Sequence, residues 1–178
     1  STLSSSSAAS DVYKRQIYRL SKSSQIVSAL VNAAKNGKNV LVQIELQARF
    51  DEENNIESAT KLEKGGVNVI FGVPGLKVHS KICVIEREEN NKVKRYGFIS
   101  TGNFNEETAK VYTDHTLFTS NNKILKEVNK VFNFIQINYK LKKYNHLIEE
   151  KKISDCLLIL PLLGSFNRNK HFYLFNVI

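Results

Sequence analysis
The chain has 178 residues and a formal net charge of +9, from 26 basic and 17 acidic residues. That length suits one ordinary domain core, and the charge favours polyanionic partners without separating nucleic acid, an anionic membrane surface or another polyanion. No apolar run approaches the ~18 residues of a membrane span, no nucleic-acid motif is present, and Cys83 and Cys156, both in apolar runs, read as small core residues of a reducing cytoplasm and not as a disulfide or metal pair.

Residues 1–16 are rich in serine and alanine and share no hydrophobic period with the residues after them, and from Ser6 on they resemble the translation of a DNA-sequencing adapter joined at Ile17. They are expected to be a non-native, disordered leader outside the fold. The chain starts with serine and contains no methionine, so it reads as a fragment of a longer frame. Residues 23–36 place Ile26, Val27, Leu30, Val31 and Ala34 on one helical face, with serines to cap the start and Gly37 to close the end. Asn39 to Leu46 suits a buried strand that delivers Gln47, Ala48 and Arg49 at its C-terminal end, where open α/β sheets gather ligands. Asp51 opens an acidic turn into a second helix through Leu62, which Gly65-Gly66 ends before a strand from Val67 to Phe71. Val78 to Ile85 and Val93 to Ile99 flank a polar turn, Glu88 to Lys92, as in a hairpin. A loop from Ser100 to Tyr112, a strand near His115 to Thr119 and a helix holding Ile124, Val128, Val131, Phe132 and Ile135 complete the readable part. Cys156 to Leu163 is apolar enough for a strand.

The most telling stretch is Pro74-Gly75-Leu76-Lys77-Val78-His79-Ser80-Lys81, which leads into the apolar run Ile82 to Ile85. His79 and Lys81 stand two residues apart, so in a strand both leave the same face. A neutral imidazole beside an ammonium group suits attack on a phosphoryl group whose oxygens a cation holds. After Lys81 come four residues and then Glu86, and further on Ser100-Thr101-Gly102-Asn103-Phe104-Asn105. This order resembles a half-site of the phospholipase D superfamily, with glutamate where that superfamily usually has aspartate.

Four motifs in order extend the likeness. Ile17-Tyr18-Arg19-Leu20, the run Glu45 to Ile56, Gly72 to His79, and the run Ser100 to Asp114 together resemble the bacterial, histidine-phosphorylating type of polyphosphate kinase. The resemblance implies an α/β, phospholipase D-like layered domain with a mixed sheet flanked by helices, one half-site of the catalytic C-terminal region. The expected divisions are the leader 1–16, the catalytic domain 17–137, and 138–178 as a truncated or misread start of the following domain. It also implies reversible transfer of the γ-phosphate of ATP to polyphosphate through phosphohistidine, with His79 as nucleophile and Lys81 holding the transferring oxygens. Arg19 and Arg49 fall at the family's magnesium-site positions. A guanidinium has no lone pair for a metal, so both are read as phosphate clamps, with Mg2+ entering with the nucleotide; Asp51 and Glu52 are available to Arg49 as ion-pair partners. Asn103 and Asn105 are expected to bind phosphate and Tyr112 the nucleotide. Phe98 stands where some members carry a second histidine, which leaves His79 the sole phosphorylation candidate; His115, His146 and His171 have no matching motif. ATP and inorganic polyphosphate are the expected partners, the parent is expected to be a cytoplasmic homo-oligomer with peripheral membrane association, and the isolated fragment is expected to be inactive. The alternatives are a metal-independent phospholipase D-like phosphodiesterase or transferase and a non-catalytic polyanion-binding fragment.

Overall fold
The computed structural model describes residues 11–73, 77–138, 147–152 and 156–161. The first ten residues, His146, His171 and the side chain of Cys156 therefore lie outside the described residues, as does most of 138–178.

A six-stranded mixed sheet organises the fold. In chain order its strands are β1 (Val12–Ile17), β2 (Asn39–Ile44), β3 (Asn68–Phe71), β5 (Lys81–Glu89), β6 (Lys92–Ser100) and β7 (Thr116–Thr119), arranged β3-β2-β1-β5-β6-β7. The first three run parallel, and β5, β6 and β7 join them antiparallel. Two remaining strands, β8 (Leu147–Lys152) and β9 (Cys156–Pro161), form a second sheet with the two-residue β4 (Lys77–Val78). The expected α/β architecture with a mixed sheet is therefore present.

The expectation of a leader outside the fold through residue 16 is corrected by β1. Val12–Ile17 is a central strand, paired with β2 from Val12↔Asn39 to Ile17↔Ile44 and with β5 from Val12↔Glu86 to Arg15↔Cys83. Its polar residues hid it, and each has found a partner. Lys14 Nζ donates to Asn129 Oδ1 at 2.6 Å, the Arg15 guanidinium lies over Phe98 and Phe104, and Gln16 Nε2 donates to the Val78 carbonyl at 3.1 Å.

Helix α1 (Gln25–Lys35) begins where Ser24 Oγ accepts from the Ile26 N–H and ends at Gly37, whose φ of 76° suits glycine. Helix α2 (Glu52–Lys64) carries acids in its first turn and lysines in its last, as the helix dipole favours. Both pack on one face of the sheet, where Leu30, Ala59 and Leu62 meet Ile17, Val40, Val42 and Ile44. Helix α3 (Asn122–Asn133), capped by Asn121 and continued by a π-type turn at Phe134–Asn138, packs Leu125, Val128, Val131 and Phe132 against Leu41, Ile82, Val84 and Ile99 on the other face. Each such fully buried side chain contributes about 1.5–3 kcal/mol.

Two local expectations are corrected. The β5–β6 turn shrinks to Asn90-Asn91, with φ of 53° and 57°, because asparagine tolerates the left-handed pair that a two-residue hairpin needs. The strand expected to run from Val78 to Ile85 is broken at His79-Ser80, since the Val78 peptide groups bond to side chains of β1 and of the residue after β2.

Candidate active site
The parallel strands β1 and β2 end side by side and release Tyr18-Arg19 and Glu45 to Arg49 at one edge. The buried Asn55 of α2 ties these exits together, its Nδ2 donating to the Tyr18 carbonyl at 2.8 Å and to the Glu45 carbonyl at 2.9 Å. His79, between β4 and β5, emerges beside them. Its ring meets Tyr18 edge to face, and Lys81 Nζ lies 2.9 Å from its Nε2 and 2.7 Å from its carbonyl oxygen. An ammonium has only protons to give, so Nε2 accepts and the ring proton of the neutral imidazole sits on Nδ1.

Positive charge is concentrated around this ring. Lys81, although only 4% exposed, lies 5.1 Å from the Tyr18 ring centroid, with Lys77 at 5.6 Å and Arg19 at 5.5 Å. Burial first, then the charges of Lys81, Lys77 and Arg19, push the His79 pKa down to about 3. The imidazole is therefore neutral at neutral pH, with its lone pair intact, among cations that attract phosphate oxygens.

The arginines are arranged differently from each other. Arg19 Nε pairs with Asp51 at 2.9 Å, and its Nη2 donates to the Arg49 carbonyl at 2.7 Å. Arg49 itself is exposed, with its guanidinium over the Phe50 ring at 5.0 Å. Asp51, one of the two acids available to Arg49, thus holds Arg19 instead, and the Arg49 head projects outward. The residues gathered here do not fit a magnesium ion held by the protein: guanidinium cannot ligate a metal, and among the described residues no group of three or more His, Cys, Asp or Glu is placed to do so.

The Ser100–Tyr112 loop lies at the same sheet edge, because Lys81 pairs with Ser100. Asn105 Oδ1 accepts from the Glu107 and Thr108 N–H groups and so shapes the short 3-10 turn Thr108–Lys110. Asn103 Oδ1 is buried and has no hydrogen-bond partner among the described residues. Tyr112, beyond the turn, is 48% exposed and is not the aromatic ring against His79. That ring, Tyr18, and the third cation, Lys77, were missed as site residues although both lie within the four motifs. The signal was adjacency to Arg19 and the two-residue step from Lys77 to His79. His115 is exposed, and its carbonyl accepts from the Thr101 N–H at 3.0 Å.

The chain is also similar to known proteins. Residues 3–141 match the family model described as polyphosphate kinase C-terminal domain 1. The chain is 50% identical over 145 residues to the polyphosphate kinase of Escherichia coli strain K12, covering 82% of this chain and 21% of that protein. It is 51% identical over 135 residues to that of Vibrio parahaemolyticus, covering 76% and 19%. The crystal structure of polyphosphate kinase from Porphyromonas gingivalis superposes with a TM-score of 0.67 at 36% identity, over 81% of this chain and 24% of that one. The chain thus spans about a fifth of the length of these curated relatives. With the matched domain extending through both strand exits, His79 and the asparagine loop, the chain belongs to the polyphosphate kinase family.

Proposed function
We propose that this chain forms one half of a phosphotransfer site in which His79 takes the γ-phosphate of ATP and passes it to polyphosphate, reversibly. The observation that carries this reading is a neutral, half-buried imidazole held among Lys77, Lys81 and Arg19. In the forward direction the His79 Nε2 lone pair forms a bond to the γ-phosphorus as the bond to the bridging oxygen breaks, and ADP leaves with that electron pair. A terminal oxygen of polyphosphate then bonds to the phosphorus as the nitrogen–phosphorus bond breaks. No proton has to leave Nε2 first, so no activating base is needed.

In this reading Lys81 turns from Nε2 to the transferring oxygens when substrate enters, and Lys77, Arg19 and Arg49 hold neighbouring phosphates. Asn103 and Asn105 face the phosphates from the opposite loop and Tyr112 contacts the nucleotide. Exchanging the oxygen and nitrogen of the Asn103 amide would place a donor where an unpartnered acceptor now sits. Magnesium belongs to the nucleotide's phosphates. The chain carries one His-x-Lys half, so the 178 residues alone are expected to show no steady-state polyphosphate synthesis, because groups that act as a unit lose most of their effect when one part is removed.

The test is a chimera in which residues 11–138 replace the matching stretch of Escherichia coli polyphosphate kinase, incubated with γ-labelled ATP. Alkali-stable, acid-labile label on His79, absent in His79→Gln, is the expected result. Label on another residue, or undiminished label in His79→Gln, overturns the reading.

A further inference from the structure
His79 follows a residue whose backbone is anchored by side chains. The Val78 N–H donates to Glu45 Oε2 at 2.7 Å, and the Val78 carbonyl accepts from Gln16 Nε2 at 3.1 Å. The other Glu45 oxygen, Oε1, accepts from the Gln47 N–H at 2.9 Å. Glu45 is itself fixed by its backbone, whose N–H donates to the Ile17 carbonyl at 3.0 Å and whose carbonyl accepts from Asn55 Nδ2. Glu45 is 2% exposed and Asn55 0%.

We propose that Glu45, seated by Asn55, is a positioning residue that sets where the His79 imidazole stands for phosphotransfer, an inference that rests on the function proposed above. A carboxyl group at this depth is costly to bury, and among the described residues no ion pair offsets that cost for Glu45. Its compensation comes from two backbone N–H groups. One belongs to the residue before His79; the other belongs to Gln47, two residues before Arg49. A single side chain therefore sets the His79 segment and the Arg49 segment against each other. Where stability alone is concerned, well-packed apolar residues serve as well as buried charged groups. What they cannot supply is two directed acceptors at fixed separation, and an error of about 1 Å in a reacting group can slow a reaction on the order of a hundredfold.

Glu45→Gln keeps the volume but leaves one acceptor, so either Val78 or Gln47 loses its partner. In the chimera this variant is expected to lower kcat about 10- to 100-fold with the KM for ATP within about threefold, and to lower the thermal midpoint only modestly, as the loss of one buried N–H partner requires. An unchanged kcat in a folded variant overturns the proposal, and so does a joint fall of kcat, ATP affinity and thermal midpoint, which marks a structural brace only. If Glu45→Gln does not fold, the unsubstituted 178-residue chain decides by NMR. A coupling across the hydrogen bond from Val78 nitrogen to the Glu45 carboxyl carbon supports the proposal, and a Val78 amide exchanging as fast as an exposed loop amide overturns it. Failure of the unsubstituted chimera to label His79 counts against the proposed function, whereas normal labelling with an indifferent Glu45→Gln counts against Glu45 alone.

Discussion

The ring of Tyr18 meets the His79 imidazole edge to face, with centroids 4.5 Å apart and planes at 86°. Tyr18 is buried at the exit of β1, and its ring is approached by three cations as well as by the histidine. An aromatic face attracts cations by about 0.5–2 kcal/mol each, so this ring helps gather positive charge beside an imidazole without placing a carboxylate next to it. The ring, and not the hydroxyl, is the working part in this arrangement. Tyr18→Phe is expected to leave His79 labelling in the chimera nearly unchanged. Tyr18→Leu, which forfeits the edge contact worth about 0.5–1.5 kcal/mol together with the cation contacts, is expected to slow labelling about tenfold or more. Equal labelling rates for the two variants would remove Tyr18 from the site's electrostatics.

A second expectation comes from the depressed His79 pKa. The unfolded chain takes up a proton on this imidazole near the ordinary 6.5, whereas the folded chain refuses it until about 3. Between those values the unfolded state binds more protons, so the His79 contribution to stability is complete above about pH 6.5 and is lost progressively as pH falls toward 3. Labelling of His79 should correspondingly lack an acid limb at the ordinary histidine value. Imidazole NMR shifts followed against pH in the 178-residue chain check this directly, and a His79 midpoint near 6.5 would contradict it.

Much of this arrangement is legible in the sequence, and the misses share a cause. Helices α1 and α2, the hairpin and α3 follow from apolar period, caps and turn residues, all local signals. His79, Lys81 and Arg19 could be named because each sits in a dense motif, and these three do converge. β1 was missed because Lys14, Arg15 and Gln16 interrupt any apolar alternation, and their partners Asn129, Phe98 and Val78 lie 62 to 115 residues away along the chain for the two hydrogen-bonded cases. Glu45 and Asn55 lie within a motif but carry no sequence signal of their role, since a carboxyl acting on a backbone N–H 33 residues later leaves no local trace.

Glu86 shows the reverse, a motif residue whose surroundings are structural. It pairs with Arg95, Nη2 at 2.6 Å and Nε at 2.7 Å, and accepts from Asn129 Nδ2 at 3.3 Å, five residues along β5 from Lys81. The pair is largely shielded, with side-chain exposures of 17% and 14%. Charge-assisted hydrogen bonds of this kind contribute about 1.5–3 kcal/mol. Glu86→Gln is expected to lower urea-unfolding stability by a comparable amount, to couple with Arg95→Gln in a double-mutant cycle, and to leave His79 labelling in place. Loss of label in a folded Glu86→Gln chimera would instead assign the carboxylate to phosphotransfer.

The most direct structural test concerns the start of the chain. β1 lies between β2 and β5, and removing it deletes two ladders at once and leaves their facing edges without a partner. It also removes Ile17 and Tyr13 from the core beneath α1 and α2, the Asp11 carboxylate that pairs with Lys38 at 3.1 Å, and the Gln16 amide that holds Val78. A chain starting at Asp11 retains all of these and is the reference. A chain starting at Tyr18 is expected to lose cooperative unfolding, because the burial of one apolar core residue alone contributes about 1.5–3 kcal/mol against a total domain stability of about 5–15 kcal/mol. Circular dichroism through a urea titration distinguishes the two. If the chain starting at Tyr18 unfolds as sharply and at the same urea concentration as the reference, β1 is dispensable and its central place in the sheet is wrong.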